Sequence, residues 1–510
     1  MTGPAEHAIE HATEHVTVVG GGLAGMTAAW NLRRMGLPVR LLEAAPELGG
    51  MAGARVIGGR VEDHGVHVFP AWYANALRLI DDLGLAGNLR ACENFYQLLP
   101  GEYPAFRSFR SLFTFRDILR DIRCGVTPAA DRMLFHYGVI DLLSQRYQGR
   151  DESLHDFLRG RWYLTETAIA DIEHLFVASS AAESRAASAA SFRGSVAAFS
   201  RQPGQVRMPR ADLHTSLIGP FRRRLEADGV EIRTGVELLD VSVSGGRVEN
   251  LTVRGTDPAG PVTETVTGHV VLAVPHGRLS LLGPAVTGAL RPAYGVDRLR
   301  SRPLGALHVY LRRRLPGLPD EHVRLVGSPH ALTLIDVGQV WEGHRTSLLN
   351  CVVGRVSALA GLPERDAVKV LVEELIAYMP VLTWDDIEHV CFQPHDGAPF
   401  FAPGPDSDRH RPVSSTALPN LHLAGDFCAA PPGVAGMESA VRSGLAAAES
   451  VRRALRPAAP AVEIRDIGTV GPAALRGLRI ALAPAAAAVR LLAGRRAVRR
   501  AVAPTAPVEP

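Results

Sequence analysis

Three glycines near the start of the chain have the spacing that binds a diphosphate group. Gly20, Gly22 and Gly25 follow an apolar run, residues 16–19, and open a stretch predicted to be helical, residues 23–35. Glycine lets the backbone approach a ligand closely, and the free N–H groups at a helix N-terminus favour a negative charge. Strand, glycine turn and helix in this order predict the first half of a dinucleotide-binding βαβ unit.

The second half of this unit indicates which dinucleotide binds. A second predicted strand, residues 39–42, ends at Glu43, whose carboxylate could accept hydrogen bonds from an adenosine ribose. An acid at this position disfavours the 2′-phosphate of NADP, so FAD and NAD remain. The alternative, a chance glycine turn, does not explain why strand, helix, second strand and acid follow one another in the expected order.

Two further segments favour FAD over NAD. Residues 46–53, PELGGMAG, place a second glycine pair close behind the acid. Far along the chain, the predicted strand 421–423 is followed by Gly425 and Asp426, and a helix is predicted to begin at residues 436–438. The carboxylate of Asp426 could bind the sugar-alcohol hydroxyls of a flavin cofactor, and the helix N-terminus could stabilise negative charge on a reduced flavin.

Three motifs connect the chain to a known family. Residues 62–85, EDHGVHVFPAWYANALRLIDDLGL, contain a Gly-x-His-x-Phe pattern followed by Tyr and Asn. Residues 304–315, LGALHVYLRRRL, place His308 in a predicted strand, and residues 436–444, GMESAVRSG, begin a predicted helix. These motifs resemble the flavin-dependent amine oxidase superfamily, and within it the plant and cyanobacterial type of phytoene and ζ-carotene desaturases. Hydroxysqualene dehydroxylases share the same features.

This resemblance, which spans about residues 16–455, implies a fold and a set of site residues. The implied fold is α/β, with a discontinuous Rossmann-like FAD-binding domain and a substrate domain of mixed sheet and helices. His67 and His308 are the implied catalytic candidates, with packing or backbone hydrogen bonding as their alternative role; no metal site is expected. The implied cofactor-binding residues are Gly20, Gly22, Leu23, Ala24, Gly25, Glu43, Ala44, Gly49, Gly50, Met51, Gly65, His67, Val236, Gly425, Asp426, Gly436, Met437 and Glu438.

The chain departs from the family pattern at positions that bear on its substrate. Met51 follows the second glycine pair where many superfamily members have arginine, and this favours the desaturases over the amine oxidases. Ser439 replaces a usual glycine, and Arg312 stands where desaturases often have Asp, so the substrate stays open. The single lysine, Lys369, lies in a predicted solvated helix face, which disfavours the lysine-assisted type of amine oxidation.

The order of the predicted elements divides the chain into alternating pieces of two domains. A helix over residues 213–228 and a hairpin at Gly245 and Gly246 support a middle piece of the cofactor domain. The expected pieces are a flexible N-terminal tail 1–13, FAD-binding pieces 14–72, 205–282 and 415–455, substrate-domain pieces 73–204 (mainly helical) and 283–414, and a basic tail 456–510.

Composition excludes several classes of function. Lysine and arginine total 55 against 52 acids, a net charge of +3, which gives no general basis for nucleic-acid binding. Five scattered cysteines without CxxC spacing disfavour a disulfide framework and a zinc site, and they favour the cytoplasm. No uncharged run approaches the ~20 apolar residues of a membrane-spanning helix, so any membrane contact should be peripheral, on the cytoplasmic membrane.

The C-terminal tail is the one segment whose composition suggests a membrane surface. Residues 471–502 hold seven arginines and no acid among Leu, Ile, Val and Ala. They predict two short basic amphipathic helices, one on each side of Pro484, that lie on anionic lipid; a loosely ordered extension is the alternative. The Arg/aromatic stretch 106–123 could form a second contact.

Taken together, these features predict an FAD-dependent oxidoreductase. The expected reaction is dehydrogenation of a long apolar substrate, polyprenyl or carotenoid-like, by hydride transfer to flavin N5, with a quinone or oxygen as electron acceptor. The alternatives are a hydroxysqualene dehydroxylase-like reaction, oxidation of a small amine, and a flavin-binding subunit without turnover.

Overall fold

The computed structural model describes most of the chain. The described residues are 14–502 apart from 58–59, 110–114, 124, 147–150, 181, 202–204, 256–259, 291–294, 343, 396–399, 430–434 and 467–470. The predicted N-terminal tail, residues 1–13, lies outside them.

The elements of the described residues follow one another in mixed α/β order. The strands are β1 (Val16–Val19), β2 (Val39–Glu43), β3 (Ala54–Ile57), β4 (Arg60–Asp63), β5 (Leu89–Cys92), β6 (Phe95–Leu98), β7 (Arg107–Phe109), β8 (Val206–Pro209), β9 (Glu231–Thr234), β10 (Glu237–Ser244), β11 (Arg247–Arg254), β12 (Val262–Thr265), β13 (His269–Leu272), β14 (Arg300–Arg302), β15 (Gly305–Leu311), β16 (Val323–Leu325), β17 (Leu332–Asp336), β18 (Leu348–Val353), β19 (Ile387–Gln393), β20 (Phe400–Ala402) and β21 (Leu421–Leu423). The helices are α1 (Leu23–Arg34), α2 (Ala74–Asp82), α3 (Phe115–Arg123), α4 (Ala129–Ser144), α5 (Leu154–Arg159), α6 (Glu166–Ser180), α7 (Ala189–Arg201), α8 (Gly219–Ala227), α9 (His276–Leu279), α10 (Pro284–Leu290), α11 (Glu364–Tyr378), α12 (Met437–Leu455) and α13 (Pro472–Val502).

A parallel sheet with strand order β21-β13-β1-β2-β9 forms the centre of the first domain. Val16 and Val18 pack into an apolar cluster with α1 and α12, and Val19 packs into a second cluster with the β10–β11 hairpin. Because both faces of such a sheet are covered, its strands are continuous apolar runs. The strands come from the beginning, middle and end of the chain, so the domain is discontinuous, as the sequence predicts.

The first and last helices of this domain touch each other closely. A Cβ atom on Gly444 of α12 would collide with the carbonyl oxygen of Ala24 in α1. Glycine at position 444 therefore lets the backbones of α1 and α12 approach, and this contact brings the N-terminal and C-terminal cofactor motifs to the same end of the sheet.

A second sheet with strand order β19-β15-β18-β17-β16-β6-β7 forms the core of the other domain. Along β15, Leu307, Val309 and Leu311 pack into an apolar cluster with residues of α11. Successive side chains of a strand point to opposite faces, so His308 and Tyr310 lie on the other face, which turns toward the β3–β4 hairpin. Since β6 and β7 belong to this sheet, residues 73–204 are less purely helical than expected.

Helices α4 to α7 form a cap beside this sheet, with their own apolar cluster. The helix predicted over residues 213–228 begins as a π-helical turn, His214–Ile218, and continues as α8. The predicted strand 421–423 and the hairpin turn at Gly245 and Gly246 are confirmed.

The prediction for the C-terminal tail is wrong in its local structure. Residues 472–502 form one continuous helix, α13, with Pro484 inside it. A proline within a helix removes one hydrogen bond and costs ~3 kcal/mol. Pro484 lies on the exposed side, where water can reach the freed carbonyl group, while Ala486 on the inner side is buried in the cap cluster. Docking of α13 on the cap thus offsets the cost of the proline.

Candidate active site

The first glycine turn has the tight geometry that a diphosphate needs. Gly20 has φ 106°, and a Cβ atom on Gly25 would collide with the Gly20 carbonyl oxygen. Among the described residues no side chain caps α1 at Gly22, so the first amides of the helix, including those of Leu23 and Ala24, face outward from its N-terminus. These donors and the helix dipole can bind a diphosphate.

Glu43 sits at the end of β2, where it joins the glycine turn to the next loop. Its Oε2 atom accepts a hydrogen bond from the Gly21 amide at 2.6 Å, and its Oε1 atom accepts one from the Ala45 amide at 2.7 Å. Each carboxylate oxygen has a second lone pair for a ribose hydroxyl. The Val236 amide donates to the Glu43 carbonyl at 2.8 Å, so Ala44 and Val236 both lie beside the expected adenosine position.

The second glycine pair lies directly against the first. The Gly49 amide donates to the Gly21 carbonyl at 2.8 Å, and Gly22 and Gly49 form a parallel bridge. Gly49 has φ 120° and Gly50 has φ 54°, both in the left-handed region that favours glycine. Met51 follows them, so the structure brings the first three predicted cofactor segments together.

Gly425 and Asp426 follow β21 at the same carboxyl edge of the parallel sheet. Gly425 has φ 150°, and its amide donates to the Ser443 hydroxyl at 2.8 Å, which ties the loop to α12. Burial raises the pKa of Asp426, and the guanidinium groups of Arg411 and Arg302 act in the opposite direction. Ligands of open α/β sheets bind at this carboxyl edge.

Two arginines, which the sequence does not single out, stabilise the loop that carries Asp426. Arg411 is 2% exposed, and its Nη2 atom donates to the Asp426 carbonyl at 3.0 Å. Burial lowers the pKa of Arg302 to about 10, Asp426 raises it, and the Arg302 Nε atom has no hydrogen-bond partner within the described residues. This unpartnered Nε atom of a half-buried arginine beside Asp426 fits an anionic group of a cofactor.

The side chain of Glu438 binds a neighbouring helix, and the N–H groups at the start of α12 remain the predicted cofactor contact. Gly436 and Met437 open α12 as predicted, with Gly436 at φ 130°. The Glu438 carboxylate turns away and accepts hydrogen bonds from the amides of Asn75 and Ala76, at 3.1 and 2.9 Å, at the start of α2. The acid thereby satisfies free N–H groups at the N-terminus of α2. Only the backbone of Glu438 remains available to a cofactor.

His67 lies next to the second glycine pair. Burial lowers the pKa of His67 to about 4, and interactions with the backbone of Met51 and Gly65 act in the opposite direction. Its Nδ1 atom has no hydrogen-bond partner in the described part of the chain. His67 is therefore a neutral ring beside the loop expected to hold the flavin, as its family motif implies.

His308, the other predicted histidine, lies in a buried cluster of polar side chains. Its Nδ1 atom lies 3.1 Å from Glu62 Oε2, and the two side chains are 1% and 0% exposed. The Tyr310 hydroxyl donates to Glu62 Oε1 at 2.8 Å. Burial raises the pKa of Glu62 to about 7 and lowers the pKa of His308 to about 3. The pair therefore favours its neutral form, a protonated carboxyl group in contact with a neutral imidazole, and neither Glu62 Oε2 nor the His308 ring makes a hydrogen bond within the described residues.

More polar side chains surround this pair. His64 Nδ1 lies 3.3 Å from His395 Nε2, and burial lowers the pKa of His64 to about 3. Cys391 lies opposite His308 on β19, and the donor atoms of Glu62, His308 and Cys391 are all within 4.8 Å of one another. Glu62 Oε2 and both ring nitrogens of His308 have no hydrogen-bond partner among the described residues.

The segment 62–67 connects the two halves of the site. Glu62 contacts Tyr310 and His308 on the second sheet, whereas His67 lies against the cofactor loop at Met51. A Cβ atom on Gly65 would stand 3.5 Å from the Val352 side chain, so the segment runs along that sheet. A neutral imidazole with a carboxyl group behind it can accept or donate a proton at the boundary between the domains.

Three residues of the site, Tyr310, Glu62 and Arg302, are not predicted from the sequence. Tyr310 shares a face of β15 with His308, so strand alternation could have identified it. Glu62 is part of the quoted motif 62–85, but nothing local indicates that it meets a residue almost 250 positions away. Arg302 lies in an arginine-rich stretch, where no regular spacing distinguishes it from the neighbouring arginines.

Comparison with known proteins gives a match to one family over most of the chain. The family model described as flavin containing amine oxidoreductase matches residues 23–452. That range contains Gly25, the second glycine pair, both predicted histidines and the start of α12.

Relatives among curated proteins match over a short stretch. A ζ-carotene desaturase of Synechocystis sp. is 41% identical over 80 residues, 16% of either chain. A ζ-carotene desaturase of Zea mays is 40% identical over 81 residues, 16% of this chain and 14% of the relative. The chain thus spans about a sixth of the length of these relatives.

A solved structure shares the whole fold. A candidate protoporphyrinogen oxidase from Exiguobacterium sp. is 21% identical, with a TM-score of 0.64, over 87% of this chain and 99% of that one. At this identity the likeness concerns the fold.

Proposed function

Because the chain belongs to the flavin-containing amine oxidoreductase family, we propose that it dehydrogenates a long apolar, polyprenyl or carotenoid-like substrate. The protein is an FAD-dependent oxidoreductase, and the glycine turns, Glu43 and the Asp426 loop form a cradle that fits this cofactor. Both curated relatives described above are ζ-carotene desaturases, and this similarity supports a polyene-forming reaction.

The observation that carries the proposal is the neutral pair of Glu62 and His308. Removal of two hydrogens from adjacent carbons releases a hydride and a proton, and the proton needs an acceptor. FAD, when bound, takes the hydride equivalent. His308 takes the proton, and Glu62, which its pKa of about 7 leaves partly ionised near neutral pH, stabilises in its carboxylate form the charge that develops on the ring. Glu62 is therefore a positioning residue that acts through His308.

Lysine-assisted oxidation of an amine is disfavoured by the position of Lys369. Its side chain is 66% exposed on α11 and lies 3.8 Å from Glu373. This helix packs on the face of the second sheet opposite His308. The only lysine of the chain thus lies away from the predicted flavin site.

A second reaction is favoured by the pKa of Glu62, which burial raises to about 7. A protonated Glu62, acting through His308, could give a proton to an allylic hydroxyl group, which would leave as water; a reduced flavin, when bound, would supply the hydride. This is the dehydroxylase-like alternative, in which the same two residues donate a proton to the substrate instead of accepting one.

Mass spectrometry of lipids that co-purify with the protein tests the substrate class first. Phytoene, hydroxysqualene and a diamine are then each mixed anaerobically with oxidised and with reduced protein. Loss of the oxidised flavin spectrum with the polyene alone supports dehydrogenation, and reoxidation of reduced flavin by the alcohol supports dehydroxylation. Bleaching by the diamine alone would overturn the proposal.

A further inference from the structure

Helix α13 exposes its large apolar side chains instead of burying them. Its exposed surface carries five large apolar side chains, with Ile480 and Leu491 along one edge and Leu478, Leu482 and Leu492 along the other. The outer face of α13 is defined here as Leu478, Ile480, Leu482, Leu491 and Leu492, whose exposed fractions are 44%, 67%, 37%, 68% and 57%. A surface helix of a soluble protein normally turns its large apolar side chains toward the core. An exposed apolar face of this kind marks an interaction surface.

The opposite side of α13 is attached to the cap by small and charged residues. Ala486 is 5% exposed within the cap cluster. The Tyr137 hydroxyl donates to the Arg479 carbonyl at 3.1 Å, and Arg479 Nη1 donates to Asp141 at 3.1 Å. Arg476 Nε donates to the Ser144 carbonyl at 3.2 Å. These contacts fix which face of the helix points outward.

Two exposed side chains of the cap extend the outer face. Trp162 is 62% exposed, and its neighbour Tyr163 stacks edge-on against Tyr137 with ring centroids 4.6 Å apart. Met133, one helical turn before Tyr137 on α4, is 46% exposed. Both residues therefore flank the place where α13 docks, and tryptophan is enriched where proteins meet the membrane interface.

The positive charge of α13 indicates that its binding partner is anionic. Residues 471–502 contain seven arginines and no acid, and four of the arginines, at positions 495, 496, 499 and 500, follow the exposed leucines. A protein partner could cover an apolar face, but the neighbouring cluster of four arginines favours an anionic lipid surface, which attracts each arginine electrostatically. In the described residues no helix is long and apolar enough to cross a bilayer.

We propose that the outer face of α13, with Trp162 and Met133, docks the protein on the surface of an anionic phospholipid membrane. The leucines and Ile480 enter the interface, and the positive charge of residues 495–500 is attracted to the anionic headgroups. The docking itself does not depend on the proposed reaction, although an apolar substrate dissolved in the membrane would give it a purpose. Truncation of the tail is a poor test, because it would also expose Tyr137 and the cap cluster.

The test therefore replaces exposed side chains only. The double variant Ile480→Glu/Leu491→Glu is compared with the matched control Val56→Glu/Val262→Glu, whose valines are 72% and 53% exposed on β3 and β12. Holoprotein is floated with vesicles of phosphatidylcholine, with and without phosphatidylglycerol, at low and high salt. Retained FAD and unchanged circular dichroism show that each variant is folded.

The expected result is binding of the wild type and the control to anionic vesicles, with at least about a tenfold weaker binding by the α13 variant. Equal binding by both variants, or no binding by the wild type, would overturn the proposal. A change from dimer to monomer in light scattering, without vesicle binding, would show instead that the face joins two copies of the chain. None of these results depends on which substrate the flavin oxidises. A negative result would therefore overturn membrane docking without affecting the proposed reaction, which has its own test.

Discussion

Replacing Glu62 with glutamine tests whether the buried acid holds a proton near neutral pH. Burial raises the pKa of Glu62 to about 7 from an ordinary value of 4.5. Between these two pH values the folded protein keeps a proton that the unfolded chain has released, so the free energy of unfolding falls as the pH rises through this window. The difference between the two values corresponds to about 3 kcal/mol.

Glutamine has nearly the shape of glutamate, can accept the hydrogen bond from Tyr310, and cannot ionise. We therefore expect Glu62→Gln to be more stable than the wild type by up to about 3 kcal/mol at about pH 8, with the difference vanishing at about pH 4. His308, whose pKa burial lowers to about 3, has the opposite pH dependence. Both the wild type and Glu62→Gln contain His308, so the difference between their free energies of unfolding reports on Glu62 alone.

Glu449 provides a control of opposite sign. Hydrogen bonds from Arg452, together with Arg453 and the Val462 amide, lower the pKa of Glu449 to about 2. Its stabilisation is present above its ordinary pKa of 4.5 and is lost as the pH falls toward 2, so Glu449→Gln should destabilise the protein at neutral pH. Urea unfolding of the holoproteins, followed by tryptophan fluorescence at several pH values, measures both. A pH-independent effect of Glu62→Gln, or a loss of stability as large as that of Glu449→Gln at about pH 8, would refute the reasoning.

Three further substitutions test the cofactor cradle. Gly25→Ala should lose FAD and lower the melting temperature because its Cβ would meet backbone, whereas Gly288→Ala, with open space around it, should do neither. Asp426→Asn should weaken FAD binding roughly tenfold to a hundredfold in a fluorescence titration, and Asp366→Asn on the outer side of α11 should leave it unchanged. Glu438→Gln should destabilise the fold by about 1 to 3 kcal/mol in urea unfolding through its lost hydrogen bonds to α2, with little change in FAD affinity.

The parts of the site that depend on local sequence are predictable. The turn at Gly20, the acid Glu43 and the start of α12 follow from glycine geometry and strand patterns, which act over a few residues. The FAD-binding assignments of individual residues stay predictions, as do the domain boundaries.

The parts that depend on contacts between distant segments escape such reasoning. Glu62 and His308 meet only because the β3–β4 hairpin packs on the second sheet. Glu438 belongs to a motif expected at the cofactor, yet its carboxylate satisfies the free N–H groups of α2, which only the folded chain brings near. The sequence predicts that Pro484 interrupts the helix, but the tertiary contacts of α13 outweigh the free-energy cost of a proline inside it.

The rate of flavin reduction in a single turnover tests the central claim most directly. The wild type, His308→Gln and Lys369→Gln are each mixed anaerobically with a polyene substrate that bleaches the wild-type flavin. If His308 accepts the proton, His308→Gln should reduce its bound FAD at least about a hundredfold more slowly, since general-base catalysis contributes roughly a hundredfold or more, while Lys369→Gln keeps the wild-type rate. Equal rates in the wild type and His308→Gln, with FAD bound in both, would contradict the account.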